Sequence, residues 1–200
     1  KQALEINPES IHSKVELTHL KQLICEWENI DTLFDDIKNN ISNKSKGKVS
    51  PFTVLSMPNF NSKDHLKVAT NWSEQIKIKP LSKVSTPIKN KLTIGYLSAD
   101  FRNHPLYYLI FDILKSHNKK MFNIKLFYSG PDEASSEHEE FKKLDCQFIN
   151  ISNESDSKGA QLIRDEKVDI LVDLSGFTQN SRSFIAAYKP ARYHINWLGF

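Results

Sequence analysis

The segment SADFRNHP, which ends at Pro105, has residue types that an active site could use. The fixed φ of Pro105 suits the first turn of a helix, so Asn103 or His104 is expected at the helix cap, near the mouth of a crevice. Partial positive charge at a helix N terminus favours a neutral imidazole, which can accept a proton or donate to an anionic group. A histidine that only caps the helix fits equally well, and Asp100 could pair with Arg102 at the surface.

The segment DLSGFT, from Asp173 to Thr178, is a second candidate for a site. Gly176 permits a sharp turn and the close approach of a ligand, and Thr178 supplies a hydroxyl at the sheet edge. The alternative is an ordinary turn after a strand, in which Asp173 and Thr178 act only as caps. Both interpretations fit the residues.

The elements that would position both segments lie in the second half of the chain. Short runs rich in branched and aromatic residues alternate there with stretches able to hold a helix. The runs begin at Leu92, Ile124, Cys146, Val168 and Tyr193. Such alternation predicts a parallel sheet, and near-continuous apolar runs are typical of strands covered on both faces. We expect an α/β fold, a Rossmann-like three-layer parallel sheet, with ligands beyond the carboxyl ends of its strands.

The amino-terminal part has a helical pattern instead. Apolar residues recur there at three- and four-residue intervals, which predicts one stripe along a helix. They are Leu20, Leu23, Ile24, Trp27, Ile30, Phe34, Ile37 and Ile41. A weaker helical pattern runs from Lys63 to Ile76, and prolines cluster between residues 44 and 90. The predicted organisation is a helical segment at 1–42, a linker with one helix at 43–90 and the α/β domain at 91–200.

Composition argues against several classes of protein. The 200 residues carry a net charge of +3, whereas a dedicated nucleic-acid binder needs a dense basic face, so no nucleic-acid partner is expected. No apolar run approaches the roughly 20 residues that span a bilayer, and the first residues lack signal-peptide order. We therefore expect a cytoplasmic protein without membrane contact. The two cysteines, Cys25 and Cys146, are far apart, and they predict structural thiols rather than a metal site.

Several familiar signatures do not occur. There is no G-x-G-x-x-G after the first strand and no G-x-x-x-x-G-K-[ST], which disfavours a dinucleotide dehydrogenase and a P-loop enzyme. His138, in the run SSEHEE, is expected on an acidic, solvated face. Tyr107 and Tyr108, just inside the predicted helix, are expected to pack in the core.

Three segments, in the same order along the chain, carry a resemblance to a known family. They are LTIGYLSADFRNHP, VDILVDLSGFT and KPARYHINWLGF. Together they resemble the catalytic region of the protein O-linked N-acetylglucosamine transferases. At the amino terminus, KQALEINP is similar to the tail of a tetratricopeptide (TPR) repeat, which family members carry before the catalytic region. LICEWENID is similar to the helix that joins the repeats to the enzyme.

The resemblance implies the amino-terminal half of a GT-B glycosyltransferase, in which two Rossmann-like domains face each other. The reaction it implies is transfer of N-acetylglucosamine from UDP-N-acetylglucosamine to Ser or Thr hydroxyls of proteins. Because the sequence has no carboxylate pair of the Asp-x-Asp type, no metal or other cofactor is expected. The UDP-sugar and acceptor proteins are then the expected partners. Because the donor is held mainly by the second domain, which is expected to follow Phe200, this chain alone is expected to be an inactive fragment.

The site residues are carried over from the resemblance by position. His104 matches the family's active-site histidine, as a general base or as a contact to acceptor or donor. Thr178 matches the threonine of the family's Gly-x-Thr loop, whereas Phe177 departs from the histidine or tyrosine of relatives, which leaves this loop a role in shaping the pocket. The predicted site has a catalytic residue, His104, and the substrate-binding residues Asn103, Pro105, Gly176, Phe177 and Thr178.

Two other classes of function fit the same sequence. A related transferase that moves glucose from UDP-glucose onto Asn would share the architecture. A non-catalytic module that binds partner proteins would also fit a repeat tail joined to half of an enzyme.

Overall fold

The chain forms two compact units, Lys1–Lys77 and Ile78–Phe200. The computed structural model describes residues 2–42, 49–84, 90–178 and 180–199. The division between the units falls inside the predicted linker at 43–90, of which residues 43–48 and 85–89 lie outside the described ones. Among the described residues, no helix has both the length and the apolar character needed to cross a membrane.

The first unit is helical. Its elements are α1 (Gln2–Ile6), α2 (Ile11–Leu23), α3 (Ile30–Ser42), a short 3₁₀ helix (Thr53–Ser56) and α4 (Ser62–Glu74). Asn61 and Asp64 form a reciprocal capping box that starts α4, which confirms a helix in the stretch predicted from Lys63 to Ile76.

The predicted single stripe of apolar residues is wrong in its first half. Cys25 and Asn29 adopt left-handed φ values of 55° and 57°, and they interrupt the helix between α2 and α3. The residues before and within the break are exposed, namely Leu20, Leu23, Ile24 and Trp27. Those in α3 are buried, namely Ile30, Phe34, Ile37 and Ile41. The apolar face of α3 shares a core with residues of the following segment, including Val54, Met57 and Val68.

The second unit is built on a five-stranded sheet in the order β3-β2-β1-β4-β5, with every neighbouring pair parallel. The strands are β1 (Leu92–Ser98), β2 (Phe122–Tyr128), β3 (Gln147–Asn150), β4 (Ile170–Asp173) and β5 (Tyr193–Asn196). The helices are α5 (Pro105–Ser116), α6 (Ser136–Lys143), α7 (Asp156–Asp165) and α8 (Ser183–Ala187). This topology confirms the predicted Rossmann-like α/β fold.

Helices cover both faces of the sheet. Successive residues of a strand point to opposite sides, and neighbouring residues of β1 therefore lie in two different cores. Tyr96 of β1 lies in a core with residues of α5 and α6. Its neighbour Leu97 lies in a second core with residues of α7 and α8. The predicted three-layer arrangement is therefore confirmed.

The helix α5 buries one side only. Tyr107 packs against Phe141 with ring centroids 5.6 Å apart, as expected of a core position. Tyr108 is 76% exposed, so its predicted place in the core is wrong. One residue turns a helix by about 100°, and two neighbouring tyrosines cannot both face the sheet.

Candidate active site

The loops that follow β1 and β4 lie side by side, because these two strands are parallel neighbours. The amide of Leu174 donates to the carbonyl of Leu97 at 3.0 Å, and the hydroxyl oxygens of Ser98 and Ser175 are 3.4 Å apart. Both serines are buried. The two segments that the sequence singles out therefore meet at the carboxyl end of the sheet, where open parallel sheets bind ligands.

His104 is the N-cap residue of α5, with an extended backbone (φ −156°, ψ 152°). Its Nδ1 accepts a hydrogen bond from the amide of Leu106 at 3.2 Å. A ring nitrogen that accepts from an N–H carries no proton itself, so the neutral ring has its proton on Nε2. The histidine is therefore a cap, and the cap also sets the tautomer. A general base acting at Nε2 would need the opposite tautomer, so this geometry favours hydrogen-bond donation from Nε2 over proton abstraction.

The second loop is held by its own residues. Asp173 Oδ1 accepts from the amides of Ser175 at 2.9 Å and Gly176 at 3.2 Å. Thr178 donates its hydroxyl proton to the carbonyl of Ser175 at 2.7 Å. Burial raises the pKa of Asp173, and the two amide hydrogen bonds oppose that rise. Asp173 thus acts as a turn residue, as one interpretation expected, whereas Thr178 caps no helix, since α8 begins only at Ser183.

Two glycines let the turn after β5 lie against this loop. Gly176 has a φ of 54°, which a glycine adopts without strain. A β-carbon built on Gly199 would lie 2.4 Å from the backbone nitrogen of Gly176 and 2.5 Å from the carbonyl carbon of Ser175. Both are backbone atoms and cannot swing aside. The third segment of the family resemblance is therefore packed directly on the second.

The predicted substrate-binding residues differ in exposure. Asn103 and Pro105 are exposed, Gly176 is buried, and Phe177 and Thr178 are half-buried. The hydrogen bonds described for His104 and Thr178 stay within their own loops, and the loops are joined beneath them through Ser98 and Ser175. The structure therefore brings the two loops together at their bases.

An ion-pair network braces the first loop. Arg102 donates to Glu133 Oε2 at 2.8 Å and to Asp100 Oδ1 at 3.3 Å. The hydrogen bond to Glu133 is the main reason that the pKa of Arg102 is raised. Asp100 is only 8% exposed, so the pair with Arg102 forms but is not at the surface as predicted.

His138 is a residue of this neighbourhood that the sequence places wrongly. It is 3% exposed, and its Nδ1 lies 2.6 Å from the carbonyl oxygen of Phe101. Its ring packs beside Tyr128 and Phe148, with centroids 4.7 Å and 5.3 Å away. The acidic neighbours that predicted a solvated face lie on the outer side of α6, while His138 itself faces the sheet.

A cavity of about 720 Å³ lies at the opposite, amino end of the sheet. Lysines contribute to its lining, namely Lys91, Lys119, Lys125 and Lys167. None of the predicted site residues line this cavity, so it is separate from the two loops above. In the part of the chain that the structure describes, no three His, Cys, Asp or Glu side chains gather closely enough to hold a metal ion.

Comparison with known sequences gives consistent results. The family model described as Glycosyl transferase family 41 matches residues 61–200. The SEC protein of Arabidopsis thaliana, a probable UDP-N-acetylglucosamine-peptide N-acetylglucosaminyltransferase, is 25% identical in an alignment of 201 positions, gaps included, that covers 92% of this chain and 20% of that protein. The UDP-N-acetylglucosamine-peptide N-acetylglucosaminyltransferase of Caenorhabditis elegans is 23% identical in an alignment of 195 positions that covers 90% of this chain and 17% of that protein. This chain thus spans a fifth or less of the length of these relatives.

A solved structure has the same fold. A lysine-to-methionine variant of the Thermobaculum terrenum O-GlcNAc transferase superposes with a TM-score of 0.76 at 18% sequence identity. The match covers 99% of this chain and 39% of that one. The family model covers most of this chain, and the family that the three sequence segments predicted is confirmed: the chain belongs to glycosyl transferase family 41.

Proposed function

We propose that the complete polypeptide carrying this chain is a glycosyltransferase that moves N-acetylglucosamine from UDP-N-acetylglucosamine to Ser or Thr hydroxyls of proteins. Membership of glycosyl transferase family 41 and the activities for which the relatives are named support the reaction class. The observation that carries the proposal is an imidazole at a helix N terminus, at the carboxyl end of a parallel sheet. A cytoplasmic location remains part of the proposal.

His104 is the proposed catalytic residue, acting as a hydrogen-bond donor through Nε2. The oxygen of the acceptor hydroxyl bonds to the anomeric carbon, the bond from that carbon to the diphosphate breaks, and the hydroxyl proton passes to a phosphate oxygen of the departing UDP. A neutral N–H at a helix N terminus can stabilise the diphosphate oxygen of the departing UDP, on which negative charge develops. The hydrogen bond from Leu106 to Nδ1 supports this role over that of a general base.

The proposed substrate contacts are the residues that flank this donor and the adjoining loop. Asn103 and Pro105 are exposed on either side of His104, where a substrate can reach them. Gly176 is buried beneath the turn after β5 and would contribute through its left-handed φ, which shapes the loop, while half-buried Phe177 and Thr178 would line the wall. We propose that the reaction needs no metal, as the sequence predicts.

A donor and acceptor panel tests this function. The complete polypeptide is incubated with an acceptor protein and either UDP-N-acetylglucosamine or UDP-glucose, and the acceptor is analysed by intact-protein mass spectrometry and fragmentation. Addition of N-acetylhexosamine to Ser or Thr is expected. Addition of hexose to Asn would instead support the related N-glucosyltransferase. Binding of the acceptor without transfer from either donor would support a protein-interaction module.

A further inference from the structure

The loop that carries His104 is held mainly from the neighbouring βα unit. Within the loop, the amide of Asp100 donates to Ser98 Oγ at 3.0 Å. Further on, the amide of Asn103 donates to Ser135 Oγ at 3.0 Å, and His138 bonds to the carbonyl of Phe101 at 2.6 Å. Two backbone groups just before His104 are thus anchored to the start of α6.

These anchors are themselves well fixed. Ser135 is the N-cap residue of α6, and the hydroxyl that accepts from Asn103 also accepts from the amide of His138 at 3.3 Å. The carbonyl of Phe101 can only accept, so Nδ1 of His138 must carry the proton of that hydrogen bond. The side chain of Phe101 is fully buried and packs against Phe141 of α6, with tilted rings whose centroids are 5.1 Å apart.

We propose that His138, together with Ser135, is a positioning residue that holds His104 in its productive place. The proposal rests on the proposed function, in which Nε2 of His104 must meet a reacting oxygen. Displacement of a catalytic group by about 1 Å can cost about 100-fold in rate. Anchoring the backbone on both sides of Arg102 removes the freedom through which such a displacement would occur.

Two substitutions of His138 separate the hydrogen bond from the packing of the ring. His138→Phe keeps a flat ring between Tyr128 and Phe148 but removes the donor to Phe101. His138→Asn loses the ring, while its amide nitrogen takes the place of Nδ1 and can still donate. We expect kcat to fall about 10- to 100-fold in His138→Phe with little change in the KM for the donor, and to recover to within about threefold of wild type in His138→Asn.

A matched control removes a hydrogen bond elsewhere on the sheet. Tyr96 donates to or accepts from His117 Nε2 at 2.8 Å, in a part-buried position away from the two loops. Tyr96→Phe should lower stability without changing kcat. Hydrogen exchange gives a readout that does not depend on activity: the amide of Asn103 should exchange faster in His138→Phe and Ser135→Ala, and at the wild-type rate in Tyr96→Phe.

The outcomes distinguish this inference from the proposed function. Wild-type kcat and unchanged exchange of Asn103 in His138→Phe would overturn the positioning role. So would a kcat as low in His138→Asn as in His138→Phe, because restoring a donor to the carbonyl of Phe101 would then not restore turnover. If a His104 variant keeps full activity, the proposed role of His104 fails, and if the donor and acceptor panel shows no transfer, the proposed function fails. In either case the exchange measurement still reports whether His138 holds the loop.

Discussion

Substitution of His104 can separate its structural role as a helix cap from its proposed chemical role. His104→Ala removes both the acceptor for the amide of Leu106 and the donor at Nε2. His104→Asn keeps a cap, since asparagine is among the best N-cap residues and its side-chain oxygen can accept from the same amide. The asparagine side chain is shorter than histidine, so its amide does not reach the place of Nε2.

The expected magnitudes follow from these contacts. Loss of the cap in His104→Ala should cost about 1 kcal/mol of stability, which lowers Tm by about 2–4 °C for a chain of this size. His104→Asn should melt within about 1 °C of wild type, because asparagine caps a helix well and should change the free energy of unfolding by only about a few tenths of a kcal/mol. Removal of one donor to developing charge costs about 100- to 1,000-fold in kcat, and both variants should show that loss.

The assay is turnover of UDP-N-acetylglucosamine on an acceptor protein, measured in the complete polypeptide beside thermal unfolding of the same samples. Wild-type kcat in His104→Asn would refute the reasoning, since the histidine would then be only a cap. A kcat that follows Tm across the two variants would refute it as well, because loss of structure alone would explain the loss of activity.

Further predictions concern neighbouring groups. Gly130→Ala would place a β-carbon 2.1 Å from the carbonyl oxygen of Ala99. We therefore expect the free energy of unfolding to fall by about 1–3 kcal/mol, as denaturation would measure, and kcat to fall in the turnover assay. Burial raises the pKa of Asp173 in the folded protein. The protonated side chain therefore adds to the free energy of unfolding below the ordinary aspartate pKa, and this contribution is lost as pH rises through the raised pKa. Asp173→Asn, which can accept the same two amides, should therefore raise Tm at neutral pH but not at acidic pH, and an equal gain at every pH would contradict this. Burial also raises the pKa of Cys146 to about 11, so iodoacetamide should modify exposed Cys25 first, as peptide mass spectrometry would report. Turnover should survive EDTA, and a loss that added Mg²⁺ or Mn²⁺ restores would contradict a metal-independent reaction.

Local patterns were enough to predict the sheet. The strands near Leu92 and Ile124 were predicted because a strand that is covered on both faces consists of nearly continuous apolar residues. The strand at Tyr193 is exposed along its length, and only its branched and aromatic residues indicated it. The cap before Pro105 was also predictable, since proline constrains its own φ and suits the first helical turn. The break between α2 and α3 could not be predicted, because Cys25 adopts a left-handed φ at a position where glycine would usually mark it.

The surroundings of His138 illustrate why the rest could not be predicted. Its sequence neighbours Glu137, Glu139 and Glu140 indicate a solvated face, and Ser135 gives a local signal only for a helix start. The partners that decide its role, Phe101 and the aromatic rings beside it, are distant in sequence. The spacing of residues within one helix or strand cannot indicate contacts with these partners.

The sequence alone therefore determined the α/β class and the two loops that carry the candidate residues, because strand periodicity and turn residues act over a few neighbouring positions. The family followed from the resemblance of three segments to known transferases. Only the tertiary structure decided how His104 is held in place. Its tautomer follows from the local cap by the amide of Leu106, two residues away, whereas its place depends on the hydrogen bonds that Asn103 and Phe101 make with Ser135 and His138 at the start of α6. Those contacts form only when the chain is folded, since they join backbone groups to side chains more than thirty residues away.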